Sequence, residues 1–345
     1  MKRCFSVLFL LISLVSACTN VKEKNNQLIE KNDENTDGKQ TAANTITNNQ
    51  PIVIGEYNTG YTLNDRLTSF FITIGENRSA DFSGIEQLQN AERLYITLLD
   101  TRYVDFSPLK SLPSLEFVRI GGQGLTAIPD LGDIPTLIWM EILFSRLTSL
   151  NGIERITSLE SLEIIGNREK LTDISAIRHL EKLKYLSFGN GFYNIDFPIL
   201  GYLPELVELS INAYGEFDLA GINHLKSLRQ LRLTSNITKD IDTRSVYKNI
   251  EEIGRITGLK ELYLDESISS VEFLVTNVNL ERLELIADKE RTDYWTVSLP
   301  LDVMPLRNLV NLKYLAIRGF ELENVEALND LPNLKYFNTD LFEYE

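Results

Sequence analysis

The sequence predicts an α/β-type repeat solenoid, a horseshoe with a concave parallel β-sheet and an irregular or 3-10 outer side. Three observations predict it. The motif LxxLxL recurs across residues 66–340, in "LPSLEFVRI" from Leu112, "IPTLIWMEI" from Ile134, "ITSLESLEI" from Ile156 and "LEKLKYLSF" from Leu180. The commonest step between copies is 22 residues, as from Leu112 to Ile134 and from Ile134 to Ile156. Within each copy the last apolar residues alternate with period two, which puts them on one face of a short strand. No single unit of this size can bury that face, so neighbouring units must stack and their strands must form a parallel sheet.

The chain opens on a leader. Lys2 and Arg3 precede an apolar stretch from Phe5 to Val15. That stretch falls short of the roughly 20 residues needed to span a bilayer. A basic start, a short apolar run and small residues have instead the order of a secretory signal, assigned to residues 1–17. Val15-Ser16-Ala17-Cys18 resembles the bacterial lipobox. The resemblance implies cleavage before Cys18 and acylation of its sulfur. Two or three acyl chains hold a protein on a membrane where one does not, since each buried methylene contributes about 0.8 kcal/mol.

Residues 18–50 read as a lipidated cysteine and a tether. The stretch after Cys18 is rich in Asn, Lys, Glu and Thr and has no aromatic residue. It cannot bury enough apolar surface to offset the entropy of ordering it. Residues 51–66 alternate like strands around Asn58-Thr59-Gly60 and are expected to cap the first repeat, and residues 67–345 form the repeat domain. Two steps exceed the rest, with surplus residues at 236–250 and 287–306. Insertions in a solenoid fall in marginal loops and often bind. The second contains Tyr294-Trp295, a pair of the residue types enriched at binding hot spots. The same aromatics could equally fold back over a gap. "NTDLFEYE" at residues 338–345 is a short acidic finish to the far end.

Leucine-rich repeats are what these copies resemble, and "LTSLNGIERI" (147–156) and "LTDISAIRHL" (171–180) resemble the repeat class of bacterial internalins. The Asn that follows the strand in such repeats is kept at Asn77, Asn167 and Asn236, has polar stand-ins at Ser145, Ser267 and Asp288, and is lost at Leu99, Tyr214 and Phe320.

Composition narrows the function. The chain carries a formal charge of −15 and contains two cysteines, of which Cys4 lies in the leader. Such acidity argues against nucleic acid and anionic headgroups, which reward clustered Lys and Arg. Without a further cysteine the folded part has no disulfide, catalytic thiol or thiolate-bound metal. The two histidines, His179 and His224, stand two units apart, roughly 10 Å at the spacing of sheet strands, which is too far to share one metal. Neither a GxSxG, an HExxH nor a Walker loop occurs. No enzymatic activity, cofactor or metal is expected.

Outward-facing strand positions supply the candidate site. One column contains Phe117, Trp139, Tyr185 and Tyr314, and the next contains Tyr95, Arg119, Glu141, Glu163, Arg232 and Tyr263. Core packing does not call for aromatic residues there, and aromatics mixed with Arg and Glu are the composition of a protein-binding surface. The expectation is a monomeric bacterial lipoprotein that presents its concave face to a protein ligand, for adhesion or host interaction. The alternative is an envelope or periplasmic scaffold with a partner from the same cell. Thr19, where Asp would retain the protein, favours the outer membrane or cell surface. Cys18→Ser should therefore abolish incorporation of labelled palmitate and release the protein from the membrane fraction, as fractionation will show. A variant that stays labelled or membrane-bound refutes the anchor.

Overall fold

The computed structural model describes residues 51–54, 57–62, 68–74, 79–99, 103–167, 169, 171–192, 195–213, 217–235, 247–265, 268–287 and 299–339. The chain separates into Met1–Thr47 and Asn48–Glu345, and every described residue lies in the second unit. Cys18 and the tether thus lie outside the described residues.

Twelve strands make one parallel sheet in which sequence neighbours are spatial neighbours. They run from Ser69–Ile74 and Arg93–Leu98 through Phe117–Gly121, Trp139–Leu143, Ser161–Ile165 and Tyr185–Phe192. Glu208–Ala213, Gln230–Ser235, Glu261–Asp265, Arg282–Ile286, Tyr314–Arg318 and Tyr336–Asn338 complete it. This is the predicted solenoid with its concave sheet. The return side is built from short 3-10 turns such as Ile153–Arg155 and Ser175–His179, with a single turn of α-helix at Phe197–Leu200. Before the sheet, Pro51–Ile54 and Tyr57–Thr62 pair antiparallel. Ile54 stands opposite Tyr57, and Asn58-Thr59-Gly60 lies within the second strand.

The leucine pattern explains the packing coil by coil. In the unit that ends in the strand Ser161–Ile165, Leu147, Leu150, Ile153, Ile156, Leu159, Leu162 and Ile164 are all at most 1% exposed. Burial of each such side chain contributes about 1.5–3 kcal/mol, so the stack is held by shared apolar surface between coils. Register follows from the same residues. Leu162 pairs with Met140 on one side and Leu186 on the other, and a slip of one would turn every leucine to water.

Polar ladders close the turns. Asn167, 4% exposed, accepts from Leu147 N at 2.7 Å and from Ser145 Oγ at 2.9 Å through Oδ1. Its Nδ2 donates to Leu147 O at 2.7 Å and Glu169 O at 2.6 Å. The stand-in Ser145 is therefore a partner of the asparagine rather than its replacement. A second ladder precedes the strands, where Ser158 Oγ donates to Ile134 O at 3.0 Å and Leu137 O at 2.6 Å. Asn279, Asn311 and Asn333 repeat it by donating to Thr257 O, Val278 O and Val310 O of the preceding coils. The Ser158 bonds satisfy carbonyls that burial between coils would otherwise orphan, whereas those of Asn279, Asn311 and Asn333 lie exposed.

Close approach at one turn demands glycine. Gly122 has φ +137°, and a Cβ there would stand 2.0 Å from Leu98 O. Phe144 holds the corresponding place one coil on at φ 50°, a conformation that costs a residue with a side chain roughly 1–2 kcal/mol.

The described ends of the two insertions, 247–250 and 299–306, belong to the solenoid itself. Tyr247–Lys248 pairs with Phe217–Asp218, and Leu299–Asp302 pairs with Phe320–Glu323. Ile250–Arg255 and Met304–Asn308 are return-side 3-10 turns. Residues 236–246 and 288–298, with Tyr294 and Trp295, lie outside the described residues.

Leu183 is fully buried in a central coil. Leu183→Ala should lower unfolding stability by about 2–5 kcal/mol, the cost of a cavity that packed neighbours cannot fill. Urea midpoints equal to wild type would contradict the packing described.

Candidate functional site

The in-register sheet turns each outward position into a column across the strands. Ser69, Arg93, Phe117, Trp139, Ser161, Tyr185, Glu208, Gln230, Glu261, Arg282, Tyr314 and Tyr336 stand successively side by side. The second column passes through Phe71, Tyr95, Arg119, Glu141, Glu163, Ser187, Ser210, Arg232, Tyr263, Glu284, Ala316 and Asn338. All ten concave residues singled out from the sequence lie in these columns, in the order assigned.

At the N-terminal end the rings form a continuous band. Phe71 stacks on Tyr95 with centroids 4.5 Å apart, Tyr95 meets Phe117 at 5.2 Å, and Phe117 meets Trp139 edge-on at 5.1 Å. Two guanidinium groups lie across it. The Arg93 group is 4.3 Å from the Phe117 centroid and 5.6 Å from that of Trp139, and the Arg119 group is 5.2 Å from that of Tyr95. These contacts correct one expectation. Phe117 is only 2% exposed, covered by Arg93, Tyr95 and Trp139, and stands outside the leucine core. It supports the band from beneath rather than meeting a partner. Trp139 is half-buried, and its Nε1 is buried without a hydrogen-bond partner in the structure.

Phe71, 64% exposed, was not singled out by the sequence, and neither was Arg93. Phe71 belongs to a weak repeat copy around Ile72–Ile74, and extending the second column back by one unit would have found it.

The centre of the face is acidic. Arg119 Nε donates to Glu141 Oε2 at 2.5 Å, and Glu141 is 5% exposed. Glu163 stands beside Glu141 on the next strand. Burial first and the Glu141 charge second raise its carboxyl from the ordinary 4.5 to about 7, against the pull of Arg119. Burial, then the charge of Glu163, pushes the Tyr185 hydroxyl up to about 12. Glu208 is also raised, by burial and by Glu261.

Farther along, cations again lie on rings. The guanidinium carbons of Arg232 and Arg282 are each 3.7 Å from the centroids of Tyr263 and Tyr314. Arg282 Nη2 is 2.5 Å from Glu284 Oε1, and Tyr314 stacks on Tyr336 at 4.4 Å. Nothing here resembles a catalytic constellation. The face presents rings, guanidinia and carboxylates held on a rigid sheet, which suits recognition of another macromolecule.

The fold and this face define a leucine-rich-repeat solenoid. No protein-family model matches the chain. It is similar to a chain of the mouse RP105/MD-1 complex, with a TM-score of 0.59 and 16% identity over 78% of this chain and 47% of that one. An internalin of Listeria monocytogenes aligns with a TM-score of 0.48 and 21% identity, covering 82% of this chain and 85% of its own. Adenylate cyclase of Schizosaccharomyces pombe is 26% identical over 233 residues, which is 65% of this chain. The chain spans only 13% of the length of that relative. The likeness to the chain of the RP105/MD-1 complex shows the fold alone.

Because Glu163 titrates higher in the folded than in the unfolded chain, its penalty is absent below about pH 4.5 and grows as pH rises to about 7. Glu163→Gln should thus gain on wild type in urea stability between pH 5 and pH 8. The gain should be on the order of 1–2 kcal/mol, allowing for the solvent that still reaches the group. A difference independent of pH would contradict the assignment.

Proposed function

We propose that the chain is a membrane-anchored lipoprotein that binds a protein partner on the concave face of its repeat domain, in adhesion or host interaction at the bacterial surface. One observation carries the binding reading. Phe71, Tyr95, Trp139, Tyr185, Arg232, Tyr263 and Tyr314 form an outward surface of rings and guanidinia that the leucine core does not use. Rings of this kind supply large contact area at small entropic cost, and Trp, Tyr and Arg dominate binding energy where interfaces are measured. The anchor rests on the Val15–Cys18 motif, and the acidic surface leaves membrane attachment to the lipid. No catalytic role is assigned.

A partner recovered with the purified protein tests this. Trp139→Ala and Tyr185→Ala should each weaken it roughly thirtyfold, the usual cost of truncating a central anchor. Lys226→Ala, in the exposed turn before the strand Gln230–Ser235, should leave affinity alone. Unchanged affinity in both aromatic variants would move the site off the concave face.

A further inference from the structure

One arrangement on the concave face occurs twice, with a single residue exchanged. In the C-terminal part Arg282 stands in the first column and Glu284 two residues on in the second, while Tyr314 lies in the first column of the next strand. Arg282 Nε donates to Glu284 Oε1 at 2.7 Å, and the guanidinium lies flat enough on Tyr314 to bring its carbon within 3.7 Å of the ring centroid. Five strands earlier the register puts Ser161, Glu163 and Tyr185 in the same three places. Carboxylate and ring are kept, and the arginine has become serine.

The exchange leaves Glu163 with little compensation. The guanidinium that acts on it, Arg119, is already paired with Glu141 at 2.5 Å. The surroundings are low at the centre and high at the sides. Ser161 and, beside Glu163, Ser187 are short, and Trp139 and Tyr185 stand on the two strands that flank Ser161. A cation that entered above Ser161 would meet a carboxylate and aromatic rings, a set that stabilises a partly desolvated lysine or arginine.

We propose that the place above Ser161 takes a positively charged lysine or arginine side chain of the partner protein, paired with Glu163 and laid on Tyr185 as Arg282 is on Glu284 and Tyr314. This rests on the concave face being the binding surface. It also makes binding a proton-linked event. Glu163 is faced by Glu141 and Arg119 from the preceding strands and by Ser187 and Tyr185 from the following one, and Glu208 acts on Tyr185. Near pH 7 about half of its carboxyls carry a proton, and an arriving cation expels it. Binding should tighten as pH rises from about 6 to 8.

A hexalysine peptide serves as the probe on the full-length protein, with hexaglutamate as its control. Hexalysine should bind near neutral pH with release of about half a proton, read as a dependence of the binding heat on buffer ionisation. Glu163→Gln should weaken it roughly tenfold, the worth of one partly exposed ion pair on a ring. Ser161→Arg should block it to a similar extent by supplying the cation in cis. In that variant the Glu163 carboxyl, followed by carbon NMR, should fall from about 7 to below 4.5. No hexalysine binding by wild type, or equal binding by hexaglutamate, would overturn the proposal, as would a Glu163 carboxyl still near 7 in Ser161→Arg. Loss in Trp139→Ala alone, with Glu163→Gln and Ser161→Arg unaffected, would remove the cation seat and keep the concave face. Indifference of all three variants would remove both.

Discussion

Burial of apolar surface between successive coils is the constraint on which the rest of the structure depends. A single unit such as 147–165 presents seven leucines and isoleucines that have no inside of their own. They become an interior only when the coils before and after are laid against them, so folding and stacking are one event. Because strands carry side chains alternately to the two faces, the demand that these leucines meet in register also decides which residues point out. Core and binding face are thus set by the same alternation, and neither can shift without the other.

Close stacking brings polar backbone into the core, and side chains meet that cost at fixed positions. Asn167 serves four partners from one buried amide, Ser145 leans on it, and Ser158 serves two carbonyls of the coil before. Asn277 shows the limit of the scheme. It replaces the leucine that usually opens this segment, is fully buried, donates to Ile256 O at 3.0 Å, and leaves its Oδ1 without a partner in the structure. Such ladders add little net stability per bond but make any slipped stacking expensive, since an orphaned carbonyl costs more than a made bond contributes.

On the outer face of the sheet the same spacing that buries leucines brings unlike residues into chemical contact. Strands lie about 4.8 Å apart, so one column position per coil suffices to stack a ring on a ring or a guanidinium on either. The N-terminal band from Phe71 to Trp139 and the C-terminal group of Arg282, Glu284 and Tyr314 are two products of this rule. Between them Arg119 pairs with Glu141, and burial first and the Glu141 charge second raise the Glu163 carboxyl to about 7.

By itself the sequence determined the solenoid, its parallel sheet and the outward columns from Arg93 to Tyr314 and from Tyr95 to Ala316. All three follow from periodicity alone, since alternation and a 22-residue step admit one way to bury the leucines. It also pointed to the concave residues from Tyr95 to Tyr314. Other features were decided only by the tertiary structure. Phe117 reads as an exposed anchor until Arg93, Tyr95 and Trp139 close over it. The stacking of Phe71 on Tyr95 and its exposure are settled only when the first strand takes its place beside Arg93–Leu98. Residues 247–250 and 299–306 read as insertion and turn out to be coil. The raised carboxyl of Glu163 depends on its burial and on the Glu141 charge one strand away. The physical reason is common to all of these. Periodicity says which face a side chain takes, whereas exposure, charge pairing and proton affinity depend on neighbours some twenty residues away in sequence and one strand away in space.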